Sequence, residues 1–252
     1  MLLFHQDLGS GTPMMILHGL FGSLDNWRTL SLKLAEQFRV IPTDLRNHGH
    51  SFHSDEHTYK LMAEDINALY DHLQLSPMVL VGHSMGGKAS MFFAQKYPEK
   101  VKKLVVADMS PKQYPPHHNI VLQALNAVEM DKVSSRKDVE DQLTTYIPDP
   151  PTRQFLMKGL VRNDDGTFQW RFNLSTLTGD YNRINVALPK GQYTGPTLFM
   201  AGERSNYIQK DDHALILHHF PQAQIQVIPN AGHWIHAEQP QAFLEALLSF
   251  AV

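Results

Sequence analysis

The chain has 252 residues, with 22 Lys and Arg against 25 Asp and Glu and a formal net charge of −3. Hydrophobic residues at 42% and charged residues at 19% give the composition of a folded chain; the near-neutral balance argues against a nucleic-acid binder, which needs a basic face, and no window approaches the roughly 20 apolar residues of a membrane span. Cysteine is absent, which removes disulfides, thiol nucleophiles and Cys-ligated zinc and fits a reducing, cytoplasmic setting.

Short apolar runs alternate with helix-period segments, the signature of βαβ units and a mostly parallel sheet. Residues 1–10 lack a basic segment followed by an apolar stretch, so no secretory signal is expected. Residues 2–5 read as a first strand closed by Gly9, Ser10 and Gly11, and residues 13–17 as a strand running into His18-Gly19. Asp25 or Asn26 can cap a helix to about residue 37, with Leu30, Leu32 and Leu34 as its apolar positions. Residues 39–41 form a strand ending at Pro42. After a polar loop, 44–57, Thr58 caps a helix whose Leu61, Met62, Ile66, Leu69, Tyr70 and Leu73 share one stripe. A strand at 78–81, a helix at 86–96 and a strand at 104–107 follow.

From 111 to 193 the parallel-strand signal stops. Val121, Leu122, Leu125 and Val128 mark an amphipathic helix, and 138–146 and 153–160 are two more, with Pro148, Pro150 and Pro151 breaking the chain between them. The alternation then resumes as strand 197–201, helix 211–220, strand 225–228 and helix 238–250. The expected organisation is a core of residues 1–110 and 194–252 interrupted by a helical cap at 111–193.

Gly82-His83-Ser84-Met85-Gly86 matches G-x-S-x-G between a strand and a helix, the context of a nucleophile held on a tight turn. Ser84 is the expected nucleophile. A serine hydroxyl needs a base, and in the chain order Ser, acid, His the base falls at His233, just after the last strand; His236 reads as a surface or packing residue. Asp108 follows the strand after the nucleophile and is the expected acid, with Glu203 and Asp211 as rivals. The loop His18-Gly19-Leu20-Phe21-Gly22 leaves an apolar strand as an oxyanion loop does, so the backbone N–H groups of Leu20 and Met85 are the expected oxyanion donors, and His18 reads as a loop brace.

These stretches, with Asp44-Leu45-Arg46-Asn47-His48-Gly49-His50-Ser51 and Val106-Ala107-Asp108-Met109-Ser110-Pro111, resemble the α/β-hydrolase superfamily, and within it the YbfF-type esterases. The D-x-R-N-H-G-x-S form is the narrower signal. The resemblance implies an α/β-hydrolase fold with a mostly parallel eight-stranded sheet, helices on both faces and a helical cap after the sixth strand. Many members carry the acid in a G-x-x-D pattern after the seventh strand. Here that site reads Gly202-Glu203-Arg204-Ser205, which moves the acid to Asp108 and leaves Ser205 as a hydrogen-bonding neighbour of the imidazole.

The 15 histidines are the oddity of composition. His48, His50, His53 and His57 crowd one loop without zinc-motif spacing, so bracing is preferred to a metal site, and His213, His218 and His219 lack the H-E-x-x-H order. Phe168, Trp170 and Phe172 alternate with polar residues as either an acyl-pocket wall or a packing stripe. Lys88 reads as a solvated lysine, with contact to an anionic substrate as the sharper alternative. The expected activity is hydrolysis of carboxylic esters or thioesters of small to medium acyl groups, acyl-CoA included, through an acyl-enzyme, without metal or organic cofactor. Ser84 at the elbow excludes the Asp-nucleophile relatives. A carbon–carbon hydrolase or lyase like the menaquinone-pathway synthase stays open, with Arg153, Arg162, Arg171 and Arg183 as candidate polyanion ligands, as does a non-catalytic ligand-binding fold.

Overall fold

The computed structural model describes residues 1–116 and 118–252. Its strands β1 (Pro13–Leu17), β2 (Arg39–Thr43), β3 (Met78–His83) and β4 (Val101–Ala107) alternate with helices α1 (Arg28–Leu34), α2 (Tyr59–His72) and α3 (Met85–Lys96). Between β4 and the next sheet strand come α4 (Asn119–Ala127), α5 (Arg136–Thr144), α6 (Pro150–Met157), the short strands β5 (Leu160–Arg162) and β6 (Phe168–Trp170), α7 (Leu174–Gly179) and α8 (Tyr181–Ile184). The chain closes with β7 (Thr197–Gly202), α9 (His213–His219), β8 (Ala223–Ile228), α10 (Ile235–Glu238) and α11 (Pro240–Ala251).

The main sheet is parallel throughout, in the order β2-β1-β3-β4-β7-β8. Its central strands are apolar runs buried on both faces, as parallel strands between two helical layers must be. The two-residue period of a strand divides them. Met15, Leu17 and Leu80 pack with Met62, Ile66 and Phe93 on the side of α2 and α3. Met14, Ile16 and Val79 pack with Leu30, Leu34 and Phe243 on the side of α1 and α11. Among the described residues no helix is long and apolar enough to cross a membrane.

Among the described residues the main sheet has six strands, not the eight that the resemblance implies. In the expected first strand, residues 2–5, only Leu3 is buried while Leu2 and Phe4 are exposed, so that run has no continuous buried face. It meets β2 through single antiparallel bridges, His5 with Thr43 and Leu8 with Val40. β2 continues through Pro42 to Thr43 because it lies at the sheet edge, where the missing N–H leaves no ladder bond broken. Leu32 is 56% exposed: two residues from Leu30, it points to the opposite side of α1. Thr58 caps α2 as expected, its side chain accepting from the Leu61 N–H. Pro150 and Pro151 do not merely break the chain. They occupy the first turn of α6, where no intrahelical donor is needed, and Asp149 caps that turn by accepting from the Thr152 N–H at 2.9 Å.

Candidate active site

Ser84 lies between the end of β3 and the start of α3, with φ 52° and ψ −119°. A side chain at Gly82 would stand 2.3 Å from the Gly86 carbonyl oxygen, and one at Gly86 would stand 2.5 Å from that of His18. The elbow therefore closes only with glycine on both sides, and its strain is held by the packed strand and helix around it. The Ser84 N–H donates to the Ala107 carbonyl at 3.0 Å, tying the elbow to β4. Leu20, Ser84 and Met85 line one pocket, and neither the Leu20 nor the Met85 N–H has an acceptor among the described residues. Two amides without an acceptor, one of them at the positive end of α3, thus belong to residues that line the pocket beside Ser84.

Asp108 follows β4 with φ 50° and is fully buried. Its Oδ1 accepts from the Gly202 N–H at 3.1 Å. Its Oδ2 accepts from His233 Nδ1 at 2.7 Å and from the Ser205 hydroxyl. Burial pushes the Asp108 carboxyl up to about 7, against the pull of the Ser205 and Gly202 donors. His233 sits on the loop after β8. Its carbonyl accepts from His83 Nε2 at 2.8 Å, and its ring stacks on Tyr207 at 3.8 Å between centroids. With Nδ1 donating to an ionised Asp108, Nε2 is the ring nitrogen that can take a proton.

The structure thus brings Asp108 and His233 into contact beside the turn that carries Ser84. The rivals lie elsewhere: Glu203 accepts from the Asn230 N–H at 2.7 Å, and Asp211 is exposed. Ser205 meets the carboxylate that holds the imidazole, not the imidazole itself. His236 is buried, stacked on Trp27 at 4.2 Å, and so is a packing residue and not a surface one. His18 is a brace, as expected: Nδ1 donates to the Gly19 carbonyl at 2.8 Å and Nε2 accepts from the Leu45 N–H at 3.0 Å.

Three other expectations need correction or choice. Lys88 is neither solvated nor aimed at substrate: it is fully buried, and its ammonium donates to the carbonyls of Lys112 and Val186 at 2.7 and 2.8 Å. Phe168, Trp170 and Phe172 are packing residues outside the pocket lining, with Phe172 5.1 Å from Phe21 and stacked on Trp170. The four arginines are engaged elsewhere, Arg153 with the Ile147 and Pro148 carbonyls, Arg162 with that of Gly166, Arg171 with Asp25 and Arg183 with Asp180. None lines the Ser84 pocket. Among the described residues no group of three or more His, Asp or Glu side chains could hold a metal ion.

Sequence reasoning missed the pocket wall. The space beside Ser84 is lined by Tyr59, Tyr114, Tyr181, Ile184, Asn185 and Tyr207 among others. Tyr59 donates to the Ile184 carbonyl and Tyr114 to that of Tyr207, both at 2.7 Å. Burial holds the Tyr59, Tyr114 and Tyr207 phenols above their usual range, so the wall is neutral. No periodicity marks these residues, because they come from α2, from the segment after β4, from α8 and from the loop after β7.

The family model for the alpha/beta hydrolase fold matches residues 12–240. Over 247 residues the chain is 43% identical to the sn-1-specific diacylglycerol lipase ABHD11 of Mus musculus, covering 94% of this chain and 80% of that one. It is 35% identical over 243 residues to the esterase YbfF of Escherichia coli (strain K12), covering 96% and 94%. A solved structure described as a marine microorganism esterase superposes with a TM-score of 0.97 at 39% identity, covering 99% of each chain.

Proposed function

The chain belongs to the α/β-hydrolase fold family and is a carboxylic ester hydrolase, and on that premise we propose that Ser84, His233 and Asp108 carry its chemistry. Ser84 Oγ attacks the acyl carbon while His233 Nε2 takes its proton. The N–H groups of Leu20 and Met85 receive the oxyanion. His233 then returns the proton to the leaving group, and water repeats the sequence on the acyl-enzyme. Asp108 holds the imidazole tautomer and stabilises the imidazolium without itself taking the proton. The observation that carries this reading is the 2.7 Å bond from His233 Nδ1 to Asp108.

Residues 111–193 act as a cap on a core of 1–110 and 194–252: Tyr114, Tyr181 and Ile184 bring the far wall to the Ser84 pocket. That tight aromatic wall supports small to medium acyl groups. An open groove lined by Lys112, Arg204, Tyr207 and His233 gives the leaving alcohol or thiol its room, coenzyme A included. The lack of cysteine fits a cytoplasmic reaction.

The test uses p-nitrophenyl acetate, butyrate and octanoate with wild type and Ser84→Ala. Wild type should turn over the two short esters faster than the octanoate. Ser84→Ala should lose on the order of 10⁴-fold or more in kcat. Turnover that survives the substitution would overturn the assignment, and none in either protein would favour a ligand-binding role.

A further inference from the structure

The stretch Asp44-Leu45-Arg46-Asn47-His48-Gly49-His50-Ser51 supplies none of the reacting groups, yet it is built as a rigid frame. Asp44 accepts from the Leu24 and His50 N–H groups at 2.7 and 2.8 Å. Arg46 pairs with Asp65 at 2.5 Å and donates to the Glu56 carbonyl at 3.1 Å. His48, fully buried, stands on this frame. Its Nδ1 can only donate to the Arg46 carbonyl, at 3.0 Å, and its Nε2 can only accept from the Phe21 N–H, at 3.1 Å. The partners therefore fix one tautomer, with hydrogen on Nδ1 alone.

Phe21 follows Leu20 and has φ 62°, a conformation that a bulky residue keeps only when its surroundings impose it. A trans peptide is planar, with its C=O and N–H pointing opposite ways. The Gly19 carbonyl, held by His18 Nδ1 at 2.8 Å and by the Gly22 N–H at 3.0 Å, shares its plane with the Leu20 N–H. The Phe21 N–H belongs to the plane on the other side of Leu20. With His18 on one plane and His48 on the next, the backbone of Leu20 cannot turn. We propose that His48 is a positioning residue: by accepting from the Phe21 N–H, it aims the Leu20 N–H at the oxygen of the substrate carbonyl. The proposal rests on the assignment of Leu20 to the oxyanion.

The experiment compares His48→Leu, which has no acceptor, with His48→Gln, whose amide oxygen can replace Nε2. Removing an oxyanion donor outright costs about 10²–10³ in kcat, so loosening its aim should cost about 10- to 100-fold. His48→Leu should show that loss in kcat with KM unchanged, and the same factor in affinity for a trifluoromethyl ketone, whose hemiketal oxygen occupies the hole. His48→Gln should recover most of both, with thermal melts checking that the variants fold. In wild type, imidazole ¹⁵N shifts should report hydrogen on Nδ1 of His48 and none on Nε2. Wild-type kcat in a folded His48→Leu, equal losses in both folded variants, or hydrogen on Nε2 would each overturn this proposal alone. Turnover surviving Ser84→Ala would overturn it together with the site.

Discussion

Asp108 is a carboxyl that burial alone would leave protonated near neutrality. Two donors work against that: the Gly202 N–H and the Ser205 hydroxyl. In the proposed mechanism a protonated Asp108 no longer stabilises the imidazolium of His233, so activity should fall as pH drops through the carboxyl's titration. Removing the Ser205 hydroxyl removes a downward pull. The acid limb of kcat/KM in Ser205→Ala should therefore move to higher pH, by about one unit for one lost hydrogen bond to a charged group. Ser205→Thr should restore it. A pH–rate profile checks this, and an unmoved limb in folded Ser205→Ala would remove the hydroxyl from the account. Ser84, His233 and Asp108 were legible in the sequence because each follows a strand, and all strands of a parallel sheet end on one side. What Ser205 touches was not legible, since the bond spans 97 residues and depends on β4 lying beside β7. The pocket tyrosines were hidden for the same reason.

At the scale of elements, α3 both starts at the elbow and anchors the chain between β4 and β7. Lys88, on the first turns of α3, donates to Lys112 on the segment leaving β4 and to Val186 just after α8. Its ammonium also lies 4.7 Å over the Tyr114 ring. Burial pulls Lys88 down to about 7, with the Lys112 charge adding to the effect. Lys88→Met would keep the volume and leave the Lys112 and Val186 carbonyls without the ammonium donor. It should cost about 2–3 kcal/mol in urea unfolding and raise KM for esters, because Tyr114 loses its support beside the pocket. Unchanged stability and KM would show that Lys88 is no anchor. Periodicity could not have placed this lysine, because α3 is buried continuously from Met85 to Met91; the amphipathic α2, with one face outward, was legible almost to the residue. The hairpin β5–β6 escaped because three-residue strands leave only a brief alternation, seen in Phe168 and Trp170.

Across the whole molecule, the histidine excess acquires a thermodynamic meaning. His18, His48, His57, His83 and His236 are all buried, and desolvation holds each below the ordinary imidazole value of 6.5, His57 at about 3. Above 6.5 both the folded and the unfolded chain leave these groups neutral. Below it the unfolded chain binds protons that the folded chain does not, so stability falls from 6.5 downwards until each folded value is reached. His57, held at about 3, contributes about 1 kcal/mol of loss over the first pH unit below 6.5, and the other four add to that loss in the same direction. Asp108 acts in the opposite sense: its carboxyl, raised in the fold to about 7, stabilises the folded state as pH falls through that value. With Asp65, whose carboxyl burial also raises, two groups stand against five, so the net sign is set by the histidines. Thermal unfolding followed by circular dichroism should give a Tm that already declines from pH 8 to 7, because burial holds Lys88 at about 7 while the unfolded lysine stays protonated, and that drops more steeply between 6.5 and 5.5. His236 is the place to test the origin of the slope. Its Nδ1 has no hydrogen-bond partner among the described residues and its ring is stacked on Trp27, so His236→Phe preserves the packing while removing one titrating group. The slope of stability against pH below 6.5 should become shallower by about one proton; an unchanged slope would mean that the acid sensitivity lies elsewhere in the chain.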